Sequence, residues 1–246
     1  MKALVFAAGL GTRLKPLTDT MPKALVPVAG EALLSRVMRK LVAAGYDDIV
    51  INVHHFADQI RDYVAAHDDF GVKVSFSDET DLLRETGGGI RHTEPLLCDG
   101  SDEPFLVHNV DILSNLDLAW FRAQYRAGDL ATILVSDRPT QRYFLFDDEG
   151  LLVGWTNIAT GEVRSPYAGI DPDCCTRLAF SGIHCISPAI FPLMHDWPEK
   201  FGIVDFYLSA CRTHAIRAAV MPGLVLHDVG KTAELAGLSR IVENIA

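Results

Sequence analysis

The sequence predicts an α/β protein built on an open, mostly parallel sheet, and three observations point to this class. Short apolar runs alternate with amphipathic segments through the first half of the chain, which is typical of right-handed βαβ units. The first apolar run, Leu4 to Ala7, leads directly into a glycine-containing turn. Hydrophobic residues make up 49% of the 246 residues, enough to bury one full core. We therefore expect a Rossmann-like sheet in a single domain spanning 1–246.

The first half of the chain alternates strands with helices. After the first strand, the apolar residues of Leu33 to Ala44 recur at helical spacing, and Gly45 is well placed to end that helix. The following segments predict, in order, a strand over 48–53, a helix over 56–67, a strand over 72–77, a strand over 104–113 and a helix over 116–127.

From about residue 130 the pattern changes to short strand-like pieces joined by Asp, Gly and Pro turns. These pieces predict antiparallel or mixed additions to the sheet, over 131–137, 142–150, 151–155 and 178–186. The polar stretch 156–177 predicts a long loop or lid, because structureless loops of that size are usually functional or disordered. We then expect helices around 187–194 and 203–214, strands over 216–221 and 224–229, and a terminal helix.

Composition and charge argue against several classes of protein. A formal net charge of -10 disfavours non-specific nucleic-acid binding, which needs an excess of Lys and Arg. No apolar run approaches the roughly 20 residues of a membrane helix, and the N-terminus lacks the pattern of a signal peptide. The five cysteines show no CxxC spacing and fit a reducing compartment. We expect a cytoplasmic protein, a monomer or small homo-oligomer, without a nucleic-acid or membrane partner.

The turn after the first strand contains Gly9 and Gly11 and matches neither of two common phosphate-binding loops. A dinucleotide fingerprint GxGxxG needs glycine at the position of Leu14, and a Walker A loop needs a GK[ST] ending that this turn lacks. The GKT at 230–232 fails as well, because Val225 occupies the position of the required glycine. The two glycines alone are equally compatible with a simple strand-to-helix turn.

The neighbouring residues favour a polyphosphate ligand for this turn. Glycines let the backbone approach a ligand closely, and successive N–H groups form a nest for anionic oxygens. Arg13 adds a planar fork for phosphate oxygens, and Lys23, between Pro22 and Pro27, adds a compact second charge. Together these features predict that the segment holds a polyphosphate.

Two aspartates follow apolar runs and so occupy the carboxyl ends of predicted strands. Asp111 follows the run 105–110, and Asp228 follows the run 224–226. Ligands of open α/β sheets bind at this edge, and Mg²⁺ prefers oxygen ligands. Each aspartate taken alone is equally well explained as the cap of a turn.

The segment ETGGG at 85–89 predicts a second glycine-rich turn, with a helix beginning near Gly89. Its backbone allows the close approach of a flat base or a sugar, and the N–H groups at the helix start favour polar oxygens. The structural alternative is a helix whose N-cap is Thr86.

The motif GxGTRLxPLTxxxPKxLxPV at 9–28 resembles the signature loop of the sugar-1-phosphate nucleotidyltransferases. The resemblance continues through ETGGGI at 85–90, NVD at 109–111, FSGI at 180–183 and HDVG at 227–230, so it covers most of the chain. Short family members that contain ETGGGI are similar to the N-acetylmuramate-1-phosphate uridylyltransferases and to some mannose-1-phosphate guanylyltransferases. This family makes nucleotide-sugars from a nucleoside triphosphate and a sugar 1-phosphate.

The resemblance implies a fold of the nucleotide-diphospho-sugar transferase type. Within it we expect a nucleotide-binding part at 1–136, a β-rich sugar-binding insertion with a lid at about 137–228, and a C-terminal helix at 229–246. The C-terminal β-helix of longer relatives is not expected in a chain of this length. The resemblance also implies Mg²⁺ as cofactor, a nucleoside triphosphate and a sugar 1-phosphate as ligands, and a role in nucleotide-sugar and cell-envelope synthesis.

The resemblance further assigns roles to individual residues. Arg13 and Lys23 are the expected catalytic residues, and Asp111 and Asp228 are the expected metal ligands. The nucleotide-binding set adds Ala8, Gly9, Leu10, Gly11, Thr12, Glu85, Thr86 and Gly87. The expected sugar-phosphate-binding set comprises Asn109, Ser181 and Gly182. Asn157 and Glu162 are added to it on other grounds, because they lie in the predicted lid and their side chains can form hydrogen bonds with sugar hydroxyls.

The chain departs from the family pattern near the second aspartate. Leu226 stands where the family usually has an aromatic residue, and Lys231 where many relatives have Thr. Two alternatives stay open: a cytidylyltransferase for an alcohol phosphate such as choline phosphate, and a non-catalytic nucleotide-sugar sensor. The length of the segment 137–177 favours a sugar over the first alternative. The presence of both carboxylates and both basic residues favours an enzyme over the second.

Overall fold

The computed structural model describes residues 1–230, which are arranged around a ten-stranded sheet. The strands of this part of the chain are β1 (Lys2–Phe6), β2 (Pro27–Val28), β3 (Glu31–Ala32), β4 (Asp48–Val53), β5 (Lys73–Asp78), β6 (Phe105–Asn109), β7 (Ile112–Ser114), β8 (Ala131–Ser136), β9 (Arg142–Phe146), β10 (Leu152–Asn157), β11 (Glu162–Arg164), β12 (Thr176–Ile186), β13 (Ile216–Ala219) and β14 (Leu226–Asp228). The terminal helix expected over 229–246 falls almost entirely on residues outside this description.

Helices cover both faces of the sheet. The α-helices of residues 1–230 are α1 (Leu33–Ala43), α2 (Ala57–Ala66), α3 (Glu85–His92), α4 (Glu94–Leu97), α5 (Leu118–Ala123), α6 (Ile190–Met194) and α7 (Ile203–Ala210). Short 3₁₀ turns occur at Thr12–Leu14, Leu17–Asp19, Lys23–Leu25, Asp68–Gly71 and Pro172–Cys174. None of these helices is both long and apolar enough to cross a membrane.

The centre of the sheet is parallel, as the alternation of elements predicts. Strands β5, β4, β1 and β6 lie side by side in that order and run in the same direction. Strand β12 is antiparallel to both β6 and β8, and β13 pairs in parallel with β8. From the first residues of β12, the strands β9, β10 and β11 continue as an antiparallel ladder. The predicted mostly parallel mixed sheet with antiparallel additions is confirmed.

The sheet separates two apolar layers, because successive side chains of a strand point to opposite faces. In β1, Ala3 and Val5 pack into the layer that contains α1, α2 and α5, whereas Leu4 packs into the layer that contains α3, α6 and α7. All three side chains are fully buried. Burial on both faces explains why β1 is a continuous apolar run rather than an alternating one.

The strand predicted over 104–113 is divided into two by Asp111. Strand β6 ends at Asn109, and β7 pairs with β14 in a separate two-stranded sheet. The chain therefore leaves the main sheet at the predicted metal ligand. The apolar run alone did not predict this break, because both β6 and β7 are buried.

The prediction that 156–177 forms one structureless loop or lid is wrong. Strand β10 continues to Asn157 and forms a hairpin with β11, in which Trp155 lies opposite Arg164. The Arg164 guanidinium stacks over the Trp155 ring at 5.6 Å. Backbone pairing and this contact order a segment whose polar composition is typical of a loop, and only 165–175 stays irregular apart from one 3₁₀ turn.

The helix predicted near Gly89 begins four residues earlier, at Glu85, so Gly87 and Gly88 lie inside α3 rather than in a turn. A Cβ at Gly87 would lie 2.5 Å from Cδ2 of Phe201. The N–H groups of Gly87 and Gly88 both donate to the Phe201 carbonyl, at 2.9 and 3.1 Å. The glycines therefore allow α3 to pack directly against the segment before α7, which a helix with side chains at these positions would not permit.

Candidate active site

The first glycine loop leaves β1 at the carboxyl edge of the parallel strands. Gly11 has φ +62°, which favours glycine, and a Cβ there would lie 2.8 Å from Cγ2 of Thr18. The Thr18 hydroxyl donates to the Gly11 carbonyl at 2.8 Å. By contrast, no described atom lies within 4 Å of a Cβ built on Gly9. The loop is therefore closely packed at Gly11 and open at Gly9.

Asn52, a buried residue of β4, holds the start of this loop. Its Oδ1 accepts hydrogen bonds from the N–H groups of Ala7 and Ala8, at 2.7 and 3.2 Å. Its Nδ2 donates to Oε1 of Glu79 at 2.9 Å. One carboxamide thus fixes both the path of the loop and the orientation of a buried carboxylate.

Glu79 follows β5 directly and is fully buried. Its Oε2 accepts the Arg84 backbone N–H at 3.0 Å, and its own N–H donates to the Val53 carbonyl at 2.8 Å. Its carbonyl accepts a hydrogen bond from Nδ1 of His54 at 2.6 Å. A buried carboxylate is tolerated only with such partners. Glu79 therefore ties β4, β5 and the segment before α3 into one rigid unit.

A cleft of about 320 Å³ opens between the glycine loop, the end of β6 and the start of α3. Its volume lies within the range of ligand pockets. The predicted site residues that line it are Ala8, Gly9, Gly11, Thr12, Arg13, Lys23, Glu85, Thr86, Asn109 and Asp111. Leu10, also predicted to bind the nucleotide, is 43% exposed and does not line the cleft.

Arg13, Lys23 and Asp111 line this cleft, whereas Asp228 does not line it but lies beside Arg13 at Gly230. Nζ of Lys23 forms an ion pair with Oδ2 of Asp111, and the Asp111 carbonyl accepts the Val229 N–H at 2.9 Å. Asp228 is held nearby, because β14 pairs with β7. A Cβ at Gly230 would lie 3.2 Å from both Arg13 and Asp228, so these two side chains flank the same backbone position.

The charges around Asp228 change its pKa. Burial raises the pKa, and the negative charge of Asp111 raises it further, whereas Lys23, Arg13 and Arg138 lower it. Two carboxylates that repel each other in a partly buried site are suited to a divalent cation, which would relieve the repulsion. Within residues 1–230 no group of three or more His, Cys, Asp or Glu residues is arranged for a metal. Asp111 and Asp228 are the residues of the site whose oxygen atoms could hold such a cation.

The residues of α3 face the cleft only in part. Glu85 has φ +61° and a half-exposed side chain, whose Oε1 lies 3.7 Å from Nζ of Lys200. The Thr86 hydroxyl accepts the Ile203 N–H at 2.9 Å, so it joins α3 to α7. Gly87 is buried against Phe201, in the segment before α7, and does not line the cleft.

Asn109, Ser181 and Gly182 meet at a bulge in β12. The pairing of β12 with β8 shifts between Phe180 and His184. Gly182 has φ +71°, and a Cβ there would lie 2.5 Å from Nδ2 of Asn109. Ser181 is 1% exposed, and its hydroxyl has no hydrogen-bond partner in the described part of the chain. The structure therefore brings these three predicted residues together beside the end of β6.

The two remaining residues of the sugar-phosphate-binding set lie apart from the cleft. Asn157 and Glu162 are opposite each other in the β10–β11 hairpin. Oδ1 of Asn157 accepts the Ala159 N–H at 3.1 Å, and the Glu162 carbonyl accepts the Thr156 hydroxyl at 3.1 Å. Both residues therefore stabilise their own hairpin.

Sequence reasoning missed Asn52 and Glu79. Asn52 is a polar residue inside the apolar run DIVINV, and Glu79 directly follows a predicted strand. A polar residue at such a position is a signal of a buried hydrogen-bond network. Its partners are 27 to 45 residues distant in the chain, so the sequence does not identify them.

The structure is an open sheet with a glycine loop and a cleft at the carboxyl ends of its parallel strands. These features are typical of α/β proteins that bind a ligand at this edge of the sheet. Residues 2–145 match the family model described as nucleotidyl transferase. The chain therefore belongs to the nucleotidyl transferase family.

Known proteins similar to this chain agree with that assignment. An N-acetylmuramate alpha-1-phosphate uridylyltransferase of Caulobacter vibrioides is 34% identical, over 98% of this chain and 97% of that protein. A probable mannose-1-phosphate guanylyltransferase of Arabidopsis thaliana is 34% identical, over 100% of this chain and 66% of that protein. The crystal structure of HddC from Yersinia pseudotuberculosis complexed with GMP-PN covers 98% of this chain and 99% of its own, with a TM-score of 0.76 and 24% identity. This last likeness supports the fold, which is of the nucleotide-diphospho-sugar transferase type.

Proposed function

We propose that this protein is a sugar-1-phosphate nucleotidyltransferase, which forms a nucleotide-sugar and pyrophosphate from a nucleoside triphosphate and a sugar 1-phosphate. The observation that carries the proposal is the convergence of two cations and two carboxylates at the glycine loop: Arg13, Lys23, Asp111 and Asp228. The names of the Caulobacter and Arabidopsis relatives support this reaction. UTP with N-acetylmuramate 1-phosphate and GTP with mannose 1-phosphate are the two proposed substrate pairs.

In this reaction an oxygen of the sugar 1-phosphate attacks the α-phosphorus in line, and pyrophosphate leaves. A phosphate monoester is already a usable nucleophile at neutral pH, so catalysis requires positioning and charge neutralisation rather than a covalent intermediate. The backbone of Gly9 to Thr12 and the Arg13 guanidinium hold the leaving phosphates. Lys23 stabilises the negative charge that develops at the α-phosphate. The start of α3, with Glu85 and Thr86, faces the nucleoside.

Asp111 and Asp228 are the proposed ligands of Mg²⁺, which would supply charge neutralisation to the reacting phosphates. The fit rests on the mutual repulsion of these two carboxylates and on their oxygen chemistry. A cytoplasmic location and a monomer or small homo-oligomer, as expected from the sequence, stay predictions.

The test is pyrophosphate release with Mg²⁺ across a matrix of UTP, GTP, CTP and dTTP against acceptors. The acceptors are the 1-phosphates of N-acetylmuramate, mannose and glucose, together with choline phosphate. Release that requires both partners in one combination would support the reaction and name the substrates. Release with choline phosphate and CTP alone would favour the cytidylyltransferase. Binding of a nucleotide without pyrophosphate release in any combination would favour the non-catalytic nucleotide-sugar sensor.

A further inference from the structure

Near the end of β8 and the bulge of β12, three buried polar atoms have no hydrogen-bond partner within residues 1–230. They are Oγ of Ser136, Nε of Arg138 and Oγ of Ser181. Buried polar atoms are nearly always hydrogen-bonded in proteins, so each unpaired atom requires an explanation. Ser136 lies opposite Ala179, two residues before Ser181. The three atoms thus belong to one small region, beside the bulge that contacts Asn109, and a polar ligand in this region would provide their missing partners.

Arg138 is held in this region by the backbone of the bulge. It follows β8 by two residues, and its NH2 group donates to the Phe180 carbonyl at 3.1 Å. The side chain is only partly exposed. A guanidinium carries five N–H donors in a fixed plane, and this contact uses one of them. Arg138 is therefore oriented by the protein while it keeps donors for an anion.

Arg138 and the cations of the glycine loop come from different parts of the fold. Lys23 and Arg13 belong to the N-terminal loop and line the cleft. Arg138 belongs to the antiparallel half of the sheet and contacts the β12 bulge, where Gly182 packs against Asn109, another residue of the cleft lining. Arg138 is therefore held independently of Lys23 and Arg13.

We propose that Arg138 binds the phosphate group of the sugar 1-phosphate acceptor, with the hydroxyls of Ser136 and Ser181 completing this acceptor subsite. The proposal rests on the proposed function. Two substrates that each carry phosphate repel each other, so both must be held by separate positive groups before they react. The glycine loop, Arg13 and Lys23 serve the triphosphate. Arg138, anchored beside Asn109 and Gly182, serves the second anion, and its planar fork suits two phosphate oxygens at once.

Arg138→Gln tests the assignment by steady-state pyrophosphate release with the substrate pair that the matrix identifies. We expect the KM for the sugar 1-phosphate to rise at least tenfold, which corresponds to about 1.4 kcal/mol of binding free energy. The KM for the nucleoside triphosphate should stay within about twofold of the wild-type value, because the glycine loop, Arg13 and Lys23 are proposed to hold that substrate. Arg138→Lys keeps the positive charge but not the planar guanidinium. Its KM for the sugar 1-phosphate should therefore lie between those of the wild-type protein and Arg138→Gln.

Arg142→Gln is the matched control, because it removes an exposed guanidinium four residues further along the chain, at the first residue of β9. It should leave both KM values unchanged. Titration calorimetry of the same sugar 1-phosphate with the full chain should show weaker binding to Arg138→Gln and unchanged binding to the control.

Three results would overturn the inference. An unchanged KM for the sugar 1-phosphate in Arg138→Gln would by itself overturn the assignment of Arg138 to the acceptor phosphate. A rise in both KM values together with a lower unfolding temperature would assign Arg138 a structural role instead. If the wild-type protein released no pyrophosphate with any substrate pair of the matrix, the proposed function would be refuted, and the acceptor assignment with it. The first two results leave the proposed function intact, because they presuppose wild-type turnover.

Discussion

Replacement of Asn52 by Ala tests whether one buried carboxamide holds the glycine loop in place. The change removes the acceptor of the Ala7 and Ala8 N–H groups and the donor to Glu79. Each buried polar group left without a partner costs about 1–3 kcal/mol. Three such groups set an upper bound of roughly 9 kcal/mol, but the 3.2 Å bond to Ala8 is weak, and water entering from the cleft would satisfy part of the remainder. We therefore expect a loss of about 3–5 kcal/mol in the free energy of unfolding.

The assay is urea unfolding, with pyrophosphate release measured on the same preparations. Asn115→Ala is the matched control, because Asn115 also accepts one N–H group, from Val225, and donates to one carbonyl, of Gly223, but in an exposed loop. The control should lose about 1 kcal/mol or less, since water replaces exposed partners. A loss below about 1 kcal/mol in Asn52→Ala, with unchanged turnover, would refute the role of the network in positioning the loop.

Three further predictions concern charge, packing and pH. Asp111→Asn and Arg13→Ala should each reduce pyrophosphate release about 100-fold or more without lowering the unfolding temperature, because they remove electrostatic stabilisation of the transition state. Gly87→Ala should lower the free energy of unfolding by about 1–3 kcal/mol through overpacking, whereas Gly9→Ala should leave stability unchanged and impair turnover, because its Cβ enters open space at the cleft. Burial lowers the pKa of His184 to about 3, from an ordinary value of 6.5. As the pH falls, the imidazole of His184 is therefore protonated in the unfolded chain before it is protonated in the folded protein. The free energy of unfolding should then decrease as the pH drops from about 6.5 toward 4, and His184→Gln should reduce this pH dependence in urea titrations.

Each of these outcomes has a contrary result. Full turnover in either charge variant would remove that residue from the proposed mechanism, and an exposed control, Asp148→Asn, should have no effect. Equal stability of the two glycine variants would contradict the packing of α3 against Phe201. An unchanged slope of stability with pH in His184→Gln would show that the buried imidazole does not link folding to protonation.

The sequence by itself determined the class of fold and predicted the charged residues of the proposed site. The alternation of apolar and amphipathic segments follows from the periodicity of side chains in strands and helices, which is a local property. Arg13 and Lys23 were recognisable because the family motif is continuous in the chain. Asp111 and Asp228 were recognisable because each follows an apolar run, and strand ends meet at one edge of a parallel sheet.

Only the tertiary structure decided how these residues are supported and which others join them. Asn52 and Glu79 interact across neighbouring strands, and α3 starts at Glu85 because its glycines pack against Phe201, more than 100 residues later. Residues 156–164 belong to a hairpin because strand pairing outweighs their polar composition. Arg138 is held by a hydrogen bond to a bulge in a distant strand. Such contacts depend on the packing of elements far apart in the chain, and side-chain periodicity carries no information about them.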